Sequence, residues 1–372
     1  MPRILISGYY GFNNTGDDTV LDGIITALLQ RYNGEQPLEL AVLSNQPQVT
    51  AKLFNIEAYN RWSIKEIYKQ LHKSDLLIMG GGSLLQDVTS PRSVIYYLGI
   101  AWLASRLGKP VIFYAQGIGP INQTISKYLM KHVANKVDVI TVRDYKSLLE
   151  LQNIGIHTPL MYLTADPALA MDPEQVDLTI GEQIFQKYGL SKNARIFGIS
   201  IRIWKNENAY LATVAKIADT MIDKGWKVVF IPMHHPMDIA PSQEIISKMQ
   251  HSKQAVLIDE KHINFRQVIS MIGNLNFMLG MRLHAVILAG ILRIPFTAIS
   301  YDPKINRFVE SLGYPTPQHV EALDYQLLAA DIDNKIANLE AERLYLQDKI
   351  EQVKPIAAET AKLALDILNK AK

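Results

Sequence analysis

Short apolar runs alternate along this chain with helix-length amphipathic stretches. An unbroken apolar run bounded by turn residues reads as a strand buried on both faces. Such runs separated by amphipathic helices predict βα units and a parallel sheet covered on both sides. Residues 3–7 form the first run. A helix is predicted over 17–32, with Val20, Leu21, Ile24, Ile25, Leu28 and Leu29 on one apolar stripe. Further strands are expected at 38–44, 75–79, 111–115, 137–142 and 160–163.

The pattern breaks over 170–192, where Met171-Asp172-Pro173-Glu174 is polar and Pro-containing and Gly189 ends a short helix. A second βα series follows, with strands expected at 196–201, 227–232, 255–259, 277–280 and 295–300. The expected architecture is α/β, two Rossmann-like domains facing a cleft in a GT-B-like arrangement. The first covers 1–175 and the second 190–325, and C-terminal helices over 326–372 pack back on the body. After Pro355 the tail carries a stripe of Ala357, Ala361, Ala364, Leu365 and Leu368, with too few heptads for a coiled coil.

Composition narrows the classes. At 372 residues the chain fits two domains, taking ~150 residues for each. The 38 basic and 36 acidic residues leave a net charge of +2, which gives no case for a nucleic-acid partner. Cysteine is absent, excluding disulfides, thiolate nucleophiles and Cys-ligated metals. The opening Met1-Pro2-Arg3-Ile4-Leu5 lacks the form of a signal peptide, and no apolar run reaches the ~18 residues of a membrane span. A cytoplasmic location is expected.

In open α/β sheets ligands bind beyond the carboxyl ends of the strands, so chemistry is sought in those loops. The most informative is Gly280-Met281-Arg282-Leu283-His284-Ala285, where an apolar strand gives way to a helix. A helix start favours an anion, Arg282 offers a bidentate fork, and His284 can carry a proton near neutrality. A buried Arg paired with a carboxylate, beside a His that caps the helix, is the alternative. Arg202, after another apolar strand, and Lys304, in Tyr301-Asp302-Pro303-Lys304, add cations.

In the first half, Gly8-Tyr9-Tyr10-Gly11-Phe12-Asn13-Asn14-Thr15-Gly16-Asp17-Asp18 departs from both the dinucleotide and the P-loop spacing. Asp17 and Asp18 would repel a phosphate there. The loop reads as a sugar-binding element, with Asn14 and Asp17 as contacts, or equally as a helix cap with a glycine-permitted turn. The run Gly80-Gly81-Gly82-Ser83-Leu84-Leu85-Gln86-Asp87 has three glycines that would let backbone approach a ligand, with Gly81, Gly82 and Asp87 as binding candidates. Gln116, in Gln116-Gly117-Ile118-Gly119-Pro120, repeats the small-residue theme. Arg143 either binds a ligand or neutralises Asp144. His234 and His235 are adjacent and so diverge on a strand end, and no metal site is expected.

Taken in order, Gly8-Tyr9-Tyr10-Gly11, Asn14, Gly16-Asp17, Gly80-Gly81-Gly82-Ser83, Asp87, Gln116-Gly117-Ile118-Gly119-Pro120, Val142-Arg143-Asp144, Asp166-Pro167-Ala168 and Gly280-Met281-Arg282-Leu283-His284-Ala285 resemble the polysaccharide pyruvyl transferases, of the CsaB type. The resemblance runs from about residue 3 to about residue 310. It implies transfer of pyruvate from phosphoenolpyruvate to a glycan acceptor, forming a cyclic ketal and releasing phosphate, with phosphoenolpyruvate as co-substrate and no cofactor. It also implies an N-acetylmannosamine acceptor, modified across O4 and O6, on a lipid-linked precursor at the inner membrane face, hence peripheral membrane contact. Carried over, Arg282, Leu283 and His284 match the phosphoenolpyruvate-binding segment, Arg202 resembles a second such arginine, and Arg143 a further implicated one. His284 is then the expected general acid, and Asp17 is assigned by position as the base that takes the sugar hydroxyl proton. The competing readings are a GT-B glycosyltransferase using a nucleotide sugar and a catalytically silent glycan-binding protein.

Overall fold

The computed structural model describes residues 1–87, 91–205, 209–261 and 263–370. Among these the named strands form two wholly parallel sheets. The first holds β1 (Arg3–Ser7), β2 (Glu39–Ser44), β3 (Glu57–Asn60), β4 (Leu76–Met79), β5 (Val111–Gln116), β6 (Val139–Val142) and β7 (Leu160–Leu163), in the order β3-β2-β1-β4-β5-β6-β7. The second holds β8 (Ile196–Ser200), β9 (Lys227–Phe230), β10 (Val256–Leu257), β11 (Phe277–Gly280) and β12 (Phe296–Ala298), in the order β10-β9-β8-β11-β12.

Central strands carry the continuous apolar runs. Every residue of β1, β4, β5, β8 and β11 is buried, as a sheet covered on both faces requires. Edge strands do not need that pattern. The missed strand, β3, reads Glu-Ala-Tyr-Asn with both ends exposed, so no apolar run marks it. It forms because β2 offers a free edge, pairing Ala41 with Glu57 through Ser44 with Asn60. The first helix, Thr15–Arg31, buries Val20, Leu21, Ile24, Ile25 and Leu28, whereas Leu29, counted on the same stripe, is 53% exposed.

The chain folds as two compact units. One comprises Met1–Phe12, Asp17–Met171 and Val353–Lys372, and the other Asn13–Gly16 and Asp172–Gln352. The divide after Met171 falls inside the polar, Pro-containing stretch. Residues 326–372 do not stand apart. Helix Tyr325–Ala337 belongs to the second unit, and the long helix Leu339–Lys370, which runs through Pro355 unbroken, contributes to both. Its Ala357, Ala361, Ala364, Leu365 and Leu368 are buried. No described helix is long and apolar enough to cross a membrane.

Each sheet reverses its strand order once. In the first unit the reversal lies between β1 and β4, in the second between β8 and β11. At such a point the loops leaving adjacent strands run to opposite faces and leave a crevice. Of the loops picked out from sequence, those of Tyr9 to Asp18, Gly80 to Asp87, Arg202 and Arg282 leave these strands, while those of Gln116, Arg143, His234 and Lys304 leave β5, β6, β9 and β12.

Candidate active site

In the second unit β8 and β11 lie side by side with Ser200 opposite Gly280. Arg202 and Arg282 each follow two residues later, so parallel register sets them at equivalent positions across the reversal. On the other side of β11, Gly280 pairs with Ala298 of β12, after which come Tyr301 and, in the first turn of helix Pro303–Ser311, Lys304. Leu283 and His284 open helix Leu283–Ile291, whose N-cap, Arg282, makes no capping hydrogen bond with its own side chain.

The two arginines are held differently. Arg282 donates from Nε to the buried Asp238 carboxylate at 3.0 Å, and its Nη2 donates to the other oxygen. Asp238 also accepts from the backbone N–H groups of Met233 (3.1 Å) and His234 (3.0 Å). The fork that the sequence assigned to a ligand therefore grips a carboxylate of the protein, as the paired-arginine alternative describes. Arg202 instead donates from Nη1 to the Tyr301 hydroxyl at 2.9 Å and from Nε to the Ile203 carbonyl at 3.3 Å. Its guanidinium lies 4.5 Å from the Tyr301 ring centroid. These partners orient the cation without cancelling its charge. Lys304, largely buried, has Nζ 4.0 Å from Asp302, which also caps its own helix.

The tip of the first loop is part of this unit. Asn14 bridges His234, Thr15 N donates to the Met233 carbonyl at 2.8 Å, and His235 N donates to the Asn13 carbonyl at 3.2 Å. Asn14 Oδ1 accepts from Gly16 N at 3.1 Å. A methyl group on Gly16 would overlap the His284 ring. Gly16 is thus required by the close approach of that imidazole, and the pair Gly16–His284 ties two motifs far apart in sequence. The His234–His235 pair serves backbone bridging here, and among the described residues no group of three His, Asp or Glu side chains is placed to hold a metal ion.

In the first unit the glycine run is crowded by the protein's own side chains. A side chain on Gly80 would strike the Tyr10 hydroxyl. One on Gly81 would come within 2.9 Å of Pro167 and Val20, and Gly82 sits at φ +99° with Asp17 3.1 Å from where its Cβ would be. All three glycines make room for the protein's own packing or for a turn. Asp87 is likewise committed to the scaffold. Its oxygens accept from Asn122 N (2.9 and 3.1 Å) and Gln123 N (2.8 Å). Burial would raise its pKa, yet those backbone hydrogen bonds outweigh burial and hold it below the ordinary carboxylate value. Gln116 is fully buried, its amide donating to the carbonyls of Met79 (3.1 Å) and Gly80.

Arg143 does not pair with Asp144, which caps helix Tyr145–Ile154. It forms a buried ion pair with Asp166 and donates to Ser83 Oγ at 3.0 Å. Both charges are more than nine-tenths buried, so the pair serves the framework of the first unit.

Two residues not singled out by sequence stand out. Arg61 is buried, donates to the Gly8 carbonyl (2.6 Å) and Tyr97 hydroxyl (3.1 Å), and lies 4.7–5.0 Å from the ring centroids of Phe12, Trp62 and Tyr96. Its rings come from separate segments, so no local spacing announces it. Asp18, half-buried in the first turn of helix Thr15–Arg31, has its pKa pushed up from 3.8 to about 7. Burial is the main cause and the Asp17 charge the second, against a backbone hydrogen bond from Gly11. The adjacent carboxylates at a helix start were the available signal, and of the two the sequence singled out Asp17 by position.

Two doubly wound α/β units, each with its motif loops at a strand-order reversal, define a GT-B-like fold. The match to the polysaccharide pyruvyl transferase family over residues 14–303 goes further, and the chain belongs to that family of pyruvyl-transferring enzymes of polysaccharide biosynthesis. It is 22% identical to the amylovoran biosynthesis protein AmsJ of Erwinia amylovora, over 94% of this chain and 96% of that one. In fold it is similar to HepE of Anabaena, solved with UDP-glucose (TM-score 0.68, 11% identity, the whole of both chains). It is also similar to the UDP-GlcNAc 2-epimerase of Neisseria meningitidis, solved with UDP-GlcNAc (TM-score 0.66, 14% identity, the whole of both chains).

Replacing Asp238 with Ala leaves Arg282 without its carboxylate and should cost about 3 kcal/mol of stability, read from urea unfolding; a loss under about 0.5 kcal/mol, the usual effect of a surface change, shows that the pair is not a structural anchor.

Folded Asp18 keeps its proton up to about pH 7, whereas unfolded Asp18 releases it near pH 3.8. The folded state therefore binds more protons between these values, and this group's contribution to stability falls as pH rises through that window. Asp18→Asn should remove that slope and stabilise the protein at pH 8 relative to pH 4. Parallel wild-type and variant pH–stability curves from denaturant titration would refute it.

Proposed function

We infer that this enzyme transfers pyruvate from phosphoenolpyruvate to an N-acetylmannosamine residue of a lipid-linked glycan precursor, forming the 4,6-ketal and releasing phosphate. The observation that carries the donor assignment is the set at the second unit's strand-order reversal. Arg202 rests on Tyr301, Arg282 is locked in orientation by Asp238, and the helix start after Arg282 carries His284 in its first turn. Such a helix start and the Arg202 guanidinium suit an anionic ligand such as phosphoenolpyruvate. A nucleotide sugar offers a pyrophosphate but no carboxylate.

The chemistry needs a proton on the methylene carbon. His284 donates it, so the carbon that bears the phosphate ester gains oxocarbenium character. One sugar hydroxyl adds there and loses its proton to a base. The second hydroxyl then displaces phosphate from the same carbon, closing the ketal, and its proton leaves with the phosphate. Membership of the family supports pyruvyl transfer to a polysaccharide, while donor, sugar and lipid linkage are this reading's own additions.

Phosphate release from phosphoenolpyruvate, assayed with aryl-tagged amino sugars, tests the reading; turnover with a nucleotide sugar in its place points to glycosyl transfer. Arg202→Ala should weaken phosphoenolpyruvate binding by roughly tenfold to a hundredfold, as expected for a lost charge-assisted hydrogen bond, and calorimetry with unchanged affinity removes Arg202 from the site.

His284→Gln keeps a hydrogen-bond donor and loses the transferable proton. It should still bind phosphoenolpyruvate while turnover falls by about 10²-fold or more. A variant with near wild-type turnover removes His284 from the proton-transfer role.

A further inference from the structure

Three helices of the first unit, Ile64–Lys73, Pro91–Arg106 and Thr124–Ala134, pack side by side against its sheet. Their inner faces supply Ile67, Leu71, Val94, Leu98, Ala101 and Met130 to the core. Their outer faces are unusual for a water-facing layer. On the middle helix the exposed positions Arg92, Ile95, Gly99, Trp102 and Arg106 recur at helical spacing and form one stripe, apolar in the middle and cationic at both ends. The first helix exposes Ile64 (78%) and Tyr68 (48%) beside Lys65, Lys69 and Lys73. The third exposes Ile125 (52%) and Tyr128 (56%) beside Lys127 and Lys131.

Charge on this layer is one-sided. The three helices contain seven Lys or Arg and one carboxylate, Glu66, in a chain whose net charge is only +2. Glu66 is also engaged, accepting a hydrogen bond from Asn60 N at 2.8 Å. Isolated isoleucines, a tryptophan and tyrosines set among basic side chains match the depth profile of a bilayer interface. Aliphatic groups enter the acyl boundary, aromatic rings sit at headgroup level, and Lys and Arg meet lipid phosphates.

We propose that this three-helix face docks the enzyme on an anionic lipid bilayer. A second copy of the chain is a poorer occupant, because a twofold contact sets the patch against itself and so faces seven cations with seven cations. The docking surface stands on these side chains alone. Its use in reaching a lipid-linked acceptor rests on the proposed function.

The test is co-sedimentation of the full chain with vesicles of phosphatidylcholine alone or mixed with phosphatidylglycerol. Binding is expected only to the anionic vesicles and should weaken as salt rises. Each cation near the surface adds about fivefold to partitioning, so Lys65→Glu with Lys69→Glu should lower binding at least tenfold, as should Ile95→Glu with Trp102→Glu. Both double variants change exposed side chains. They should keep the wild-type circular dichroism spectrum and wild-type turnover on a soluble aryl-tagged amino sugar. Equal binding to neutral and anionic vesicles overturns the proposal, as does undiminished binding by either folded variant. A wild-type dimer in sedimentation analysis that Trp102→Glu splits, without vesicle binding, also overturns it and assigns the face to self-association. Vesicle binding needs no turnover, so an enzyme that docks but does not release phosphate from phosphoenolpyruvate refutes the function and leaves the surface standing.

Discussion

A parallel sheet must return its chain by crossovers, and these are right-handed. A sheet that grows outward from its first strand in both directions must reverse its strand order once, and the loops part where it does. In this protein that constraint selects the pairs β1/β4 and β8/β11. The loop of Tyr9 to Asp18 and the glycine run after Met79 leave the first pair, while Arg202 and Arg282 leave the second. The chemistry-bearing segments are distant in sequence and converge because neighbouring strands in register end together, with Ser7 opposite Met79 and Ser200 opposite Gly280.

Within that frame the arginines show how charge is allotted. Arg143 is paired with a buried carboxylate and made part of the scaffold, holding Ser83 and the Asp166 turn in place. Arg61 is buried without a carboxylate contact in its hydrogen bonds, held by a carbonyl, a phenol and aromatic faces, and it fixes the base of the first loop. Arg282 is an intermediate case, partly exposed, with one edge clamped by Asp238. Arg202 rests on Tyr301 with its charge intact. The difference decides function. A guanidinium neutralised by a buried carboxylate adds rigidity and little attraction for an anion, whereas one held by a phenol ring is oriented and still cationic.

The glycines carry a similar lesson about rigidity. Gly80, Gly81 and Gly82 let Tyr10, Pro167 and a left-handed turn fit at the end of β4, and Gly16 lets the His284 imidazole lie against the backbone. Close approach in each case is between parts of the protein. Groups held this way are set by packing, so His284 is fixed by its neighbours and not by a mobile loop of its own.

The sequence alone determined the α/β class, the strands at the centre of both sheets and the family, because continuous apolar runs are forced on strands buried on both faces and the motifs keep their order. It missed β3, whose polar residues follow from an edge position that only pairing with β2 reveals. Its reading of single loop residues was less secure. Whether Arg143 meets a ligand or Asp166, whether Arg282 faces solvent or Asp238, and which of Asp17 and Asp18 holds its proton near neutrality depend on residues far away in sequence or on burial. A guanidinium or carboxylate has the same intrinsic chemistry wherever it occurs. Its partners and its solvation, which set whether that chemistry serves the scaffold or a substrate, exist only once the chain has folded.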